Sequence, residues 1–106
     1  MKTAARLADD GRGYVDLART YMSLLRWEEA EKSLQQALKK GGLRDPAGAR
    51  LMLGMVQFNQ KNFRDARRSF ADAGKTAKTE KLARQWLAYL EQEEANAALA
   101  REVGME

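Results

Sequence analysis

Three serines, Ser23, Ser33 and Ser69, are the chain's candidate hydroxyl nucleophiles, and two acid pairs, Glu28-Glu29 and Glu93-Glu94, are its candidate proton carriers. A serine hydroxyl attacks only when a neighbouring base takes its proton, and the chain has no His and no Cys. Imidazole catalysis, thiol chemistry, disulfides and thiolate metal sites are thereby closed to it. The acid pairs are adjacent in sequence and fall on helix surfaces, where solvation explains them. Gly11-Arg12-Gly13 follows no strand pattern, so it is not a phosphate loop. These residues predict a non-catalytic protein that uses no cofactor and no metal.

The elements that position these residues follow from composition. Of 106 residues 44% are hydrophobic, enough for one small core, and abundant Ala and Leu with a single Pro predict an all-α chain. The first thirteen residues hold no apolar run long enough for a signal peptide or a membrane anchor. The net charge of +4 is unevenly spread. Lys61 to Arg84 holds eight basic and three acidic residues, whereas Glu91 to Glu106 holds one basic and five acidic. Solvated helix faces account for this, a basic docking strip is the sharper reading, and no nucleic-acid-binding motif accompanies the charge.

The chain repeats itself at an offset of 36 residues. Arg26 to Leu38 reads RWEEAEKSLQQAL and Asn62 to Gly74 reads NFRDARRSFADAG, so Trp27, Ala30, Ser33, Leu34 and Ala37 recur as Phe63, Ala66, Ser69, Phe70 and Ala73. Upstream, Leu17-Ala18 recurs as Leu53-Gly54, while Tyr14 and Tyr21 are replaced by Arg50 and Gln57. Each unit reads as two helices. The first has helices over about 12–25 and from Trp27 to the Gly41-Gly42 stop. In the second, Asp45 caps and Pro46 opens a helix to about Gln60, and Phe63 starts another that fades near Gly74. Residues 75–78 then form a polar turn with Thr79 as a cap. An unbroken helix from Glu80 to about Arg101 would be roughly 33 Å long. Its first half carries the stripe Leu82, Trp86, Tyr89 and Leu90, and its polar second half projects into solvent. Residues 1–10 read as the end of an earlier helix.

The spacing resembles the tetratricopeptide repeat family, whose units carry W-x2-LG-x2-Y…A-x3-F. Here it stands as Tyr14-x2-Leu17-Ala18-x2-Tyr21…Ala30-x3-Leu34 and Arg50-x2-Leu53-Gly54-x2-Gln57…Ala66-x3-Phe70. The period exceeds the family's usual 34 or so by two, a surplus that the KKGGLRDP connector absorbs. The resemblance implies antiparallel helix-turn-helix units, 11–46 and 47–78, stacked as a short right-handed α-solenoid. A long carboxy-terminal capping helix, 79–106, would close it, with Ala88 at the third close crossing and Trp86 largely buried. The amino end lacks such a cap, which predicts the carboxy-terminal piece of a longer array. A narrower set, KKGGL, LMLGMVQFN and ARQWLAYLEQE, is similar to the ends of proteobacterial repeat proteins described as components of the TonB system. That likeness implies a periplasmic location; without it the expected location is cytoplasmic.

In tetratricopeptide proteins the first helices of successive units line a concave groove for peptides or protein segments. Register then implies Arg12, Val15, Arg19, Met22 and Ser23 from one unit, Leu51, Met55, Phe58 and Asn59 from the next, and Gln85 and Tyr89 from the last helix. Met adapts to varied partners and Arg grips carboxylates with two donors; the same Met22, Leu51, Met55 and Phe58 would also serve as plain core. The Lys and Asn that grip chaperone termini in some members are absent, since those places hold Val15, Arg19, Met52, Leu82 and Trp86. Two functional classes follow: a scaffold that binds a protein or peptide, and a structural or oligomerising end-piece that pairs with another copy through its open amino edge or its last helix. Neither involves nucleic acid or insertion into a membrane.

Overall fold

A computed structural model describes residues 10–104. The two breaks at Leu25 and Lys61 share one cause. Helix α1 (Arg12–Ser23) and helix α3 (Pro46–Asn59) each run into a residue with left-handed backbone, Leu25 at φ 60° and Lys61 at φ 63°. The Arg26 N–H donates to the Tyr21 carbonyl at 2.8 Å and the Leu25 N–H to Met22 at 3.0 Å. The Asn62 N–H donates to Gln57 at 2.9 Å and the Lys61 N–H to Phe58 at 2.9 Å. This paired closure satisfies carbonyls that the helix leaves over.

Helices α2 (Trp27–Lys40) and α4 (Phe63–Ala73) then start 36 residues apart, with acids in their first turns facing the positive helix ends. Even the side-chain clasp repeats: Arg26 Nη2 reaches Glu29 Oε2 at 2.6 Å, and Asn62 Nδ2 donates to Asp65 Oδ2 at 2.8 Å. Lys61 carries a side chain in a conformation that costs an L-residue about 1–2 kcal/mol. Lys61→Gly is therefore expected to stabilise the fold by about 0.5–1 kcal/mol after the greater freedom of unfolded Gly is subtracted. A thermal melt checks this; a lowered midpoint would mean that the turn does not close in this way.

Gly41 and Gly42 end α2 at φ 78° and 71°. Asp45 caps α3, its Oδ1 accepting from the Gly48 N–H at 2.9 Å, and Pro46 occupies the first position. Gly11 opens α1: its N–H donates to the Gly41 carbonyl at 2.8 Å, and a side chain there would run into the Ala37 backbone. The helix end predicted for 1–10 lies, but for Asp10, outside the described residues.

Helix α5 (Ala77–Glu102) begins earlier than predicted, and Thr79 is not its cap. Thr79 is buried inside the first turns, where its hydroxyl donates to the Ala73 carbonyl at the end of α4. That bond satisfies a leftover carbonyl of α4 and sets the phase of α5. The inner face is then Thr79, Ala83 and Leu90, and Ala88 is exposed rather than at a crossing. Trp86 is half-buried, not largely buried: one face stacks on Phe70, with centroids 5.4 Å apart and planes 16° apart. Leu82 is exposed as well. At 26 residues α5 is about 39 Å long, and its second half is not wholly free, because Glu94 pairs with Arg67 of α4.

All the regular structure among the described residues is helical. Each helix packs on its neighbours in sequence across short, reversing turns, and α3 also touches α5. One core holds Ala18, Ala30, Leu34, Leu53 and Val56; the other holds Leu51, Ala66, Phe70, Ala73, Ala83 and Leu90. Gln57, in the place of Tyr21, joins three helices. It donates to Glu31 of α2 at 3.0 Å and accepts from Ser69 of α4 at 2.6 Å, so its burial leaves no polar atom unpaired. The molecule measures 52 × 31 × 18 Å with a radius of gyration of 15.1 Å. A compact chain of 100 residues has about 13 Å, so the molecule is elongated rather than spherical.

Candidate functional site

Positions four and seven apart on α3 define its open side: Gly48, Met52, Met55 and Asn59 lie between α1 and α5. On the α1 side is a cleft of about 410 Å³. Arg12, Val15, Asp16 and Arg19 form one wall, and Leu43, Arg44 and Asp45 form its end. Gly48, Ala49 and Met52 form the other wall. On the α5 side is an aromatic shelf. Tyr89, 51% exposed, stacks on Phe58 at 5.2 Å with planes 21° apart, and Trp86 meets both rings edge-on at 5.8 and 5.9 Å.

The cleft brings together three predicted residues, Arg12, Val15 and Arg19. Arg12 is held by Asp10, whose carboxylate accepts from its backbone N–H at 2.9 Å and its Nε at 3.0 Å. The same guanidinium keeps the Asp10 carboxyl below the usual carboxylate range, and the carboxylate in turn raises Arg12. Arg19 meets Asp16 only at 3.7 Å, with both side chains mostly in water. Such a contact holds neither group firmly. Arg44 is exposed and forms no ion pair among the described residues. Lys78 of α5 reaches Asp45 at 3.7 Å across the starts of α5 and α3.

The other predicted residues divide. Met22 is half-buried against the α1–α2–α3 core, and Met55 and Phe58 are half-buried against the α3–α4–α5 core. Ser23 and Asn59 are exposed but bonded to carbonyls of their own helices, Arg19 at 3.1 Å and Met55 at 2.8 Å. Gln85 and Tyr89 are exposed on α5. Leu51 is a correction: it is buried, belonging to the core shared with α4 and α5. The first turns of α5 pack alongside α3 and cover it, whereas its counterpart Val15 opens onto the cleft. Met52 takes the place given to Leu51. The run Gly48, Met52, Met55, Asn59 was the signal for it, because one helix face recurs at four and seven residues.

The Ser23 hydroxyl donates to a backbone carbonyl, Ser69 is engaged by Gln57, and Ser33 is buried on α2. Among the described residues no cluster of carboxylates could hold a metal ion, and no helix is long and apolar enough to cross a membrane. What the surface offers is shape, guanidinium donors and aromatic faces. No protein-family model, curated protein or solved structure matches the chain.

Proposed function

We propose that this chain is a non-catalytic protein-interaction module of tetratricopeptide type. Its two helix pairs form a short right-handed stack capped by α5, and an extended peptide or protein segment lies across α3 from the cleft to the aromatic shelf. The observation that carries this reading is the division of labour on α3. Leu53, Gly54, Val56 and Gln57 are buried against neighbours, while Met52, Met55 and Asn59 stay on the open side. Arg19, held only by a loose contact, and the exposed Arg44 supply two-pronged donors, and Met side chains adapt to varied surfaces. The turns, clasps and core positions that recur at 36 residues support the family reading independently of the groove.

The test is selection from a random-peptide display library. Peptides that bind the wild-type chain are expected to lose about 2 kcal/mol or more on Arg19→Glu with Tyr89→Ala, because binding hot spots favour Arg and aromatic residues. Helicity by circular dichroism should not change, since both side chains are exposed. Lys32→Glu with Lys39→Glu, on the exposed side of α2, should leave binding intact. Selection of no peptide rejects the reading, and so does binding that survives the first pair but not the second.

A further inference from the structure

We infer that this chain pairs with a second copy of itself through α5, the two copies of the helix lying antiparallel along a row of uncharged side chains. Leu82, Gln85, Tyr89, Gln92, Asn96 and Leu99 are all exposed and follow one another at alternating steps of three and four residues. That is the spacing of the seam of a two-stranded coiled coil. The row lies outside the buried face of Thr79, Ala83 and Leu90. Its large members stand well into solvent, Leu82 at 46%, Tyr89 at 51% and Leu99 at 59% exposure. Every other exposed residue of α5 is charged or Ala.

One antiparallel register matches the row to itself. Leu82 meets the partner's Leu99, Gln85 the partner's Asn96, and Tyr89 the partner's Gln92, so apolar meets apolar and each amide meets a polar group. These pairs are symmetric about one point, between residues 90 and 91, so a single twofold axis there closes the contact as a dimer. On one flank the same register sets Ala88 beside the partner's Ala95, small enough for the helices to approach, and Lys81 beside the partner's Glu102. Lys81 and Glu102 are exposed and form no ion pair among the described residues. They lie 21 residues apart on one helix, about 32 Å, so they meet only between copies. Sliding the helices by seven residues toward their carboxy ends loses both ion pairs and sets Glu93 against the partner's Glu93. The opposite slide carries Leu99 past the start of the partner's helix. Amides within a seam lower its affinity but fix its register. Within one chain they are little used: Gln92 Nε2 donates to Asn96 Oδ1 at 3.3 Å. The contact stands independently of the peptide reading, since it needs neither the cleft nor Arg19.

Sedimentation velocity at high micromolar concentration tests this. The wild-type chain is expected to dimerise, and Leu82→Asp with Leu99→Asp should be monomeric with unchanged helicity by circular dichroism, since both side chains are exposed. Lys81→Glu alone should weaken dimerisation about tenfold, because it sets Glu against the partner's Glu102 at both ends of the contact, and adding Glu102→Lys should restore it. The chain has no Cys, so disulfide trapping reads the register. Under mild oxidation Ala88→Cys mixed with Ala95→Cys should give a linked heterodimer, and neither variant alone should link to itself. A wild-type monomer, a dimer that survives the two Asp substitutions, a charge exchange that restores nothing, or Ala88→Cys linking to itself would overturn the proposal. If circular dichroism shows the Asp variant unfolded, the charge exchange and the disulfide trapping decide the matter alone.

Discussion

Phe70→Ala is expected to lower the stability of the chain by about 3–5 kcal/mol. Phe70 is fully buried and is the largest side chain in that state. Its ring fills the space where α3, α4 and α5 converge, against the Gly54 backbone and under the indole of Trp86. The surrounding atoms are poorly able to collapse into the gap. Gly54 has no side chain to swing in, and Trp86 is already engaged edge-on with Phe58 and Tyr89. A domain of this size has about 5–15 kcal/mol in total, so the variant should approach the unfolding threshold at physiological temperature. Urea denaturation measures the loss, and Trp86 emission should shift to the red in the folded variant. A loss below about 1 kcal/mol would show that the α3–α4–α5 core is not the tightly packed unit described.

The sequence carried the boundaries of most helices because they rest on local chemistry. Gly41-Gly42 stops α2, and Asp45-Pro46 opens α3. Where reading failed, the decisive contact was tertiary. A Thr followed by Glu resembles a cap, yet Thr79 is drawn inward by a carbonyl at the end of α4. Ala88 follows a Leu as Ala18 and Gly54 do, but the earlier start of α5 turns it to solvent. Within the site, Arg12, Val15 and Arg19 were legible from register. Leu51 and Met52 are about 100° apart on a helix, and only the position of α5 decides which of them is covered. Arg44 belongs to a connector whose path no periodicity describes, so its presence at the cleft was not readable.

Gly54→Leu is expected to cost about 3 kcal/mol, the upper part of the range for overpacking a filled core. A Cβ at position 54 would already lie 2.6 Å from two carbons of the Phe70 ring, so every further atom adds to the collision. The repeat itself supplies the control. In the first unit the equivalent pair is Ala18 and Leu34, both buried in one core; in the second a smaller residue, Gly54, faces a larger one, Phe70. Volume is thus conserved across the crossing and redistributed between its two sides. Gly54→Ala alone gains about 1 kcal/mol of helix propensity but forces Phe70 to move, and Phe70→Leu alone leaves a void. Together they restore the pairing of the first unit. The double variant is therefore expected to be more stable than the sum of the singles by about 1 kcal/mol or more, within the coupling range of residues in contact. Denaturant titrations of the four proteins give this coupling directly. Strict additivity would mean that the two residues do not share the crossing, and that the second unit is not built on the plan of the first.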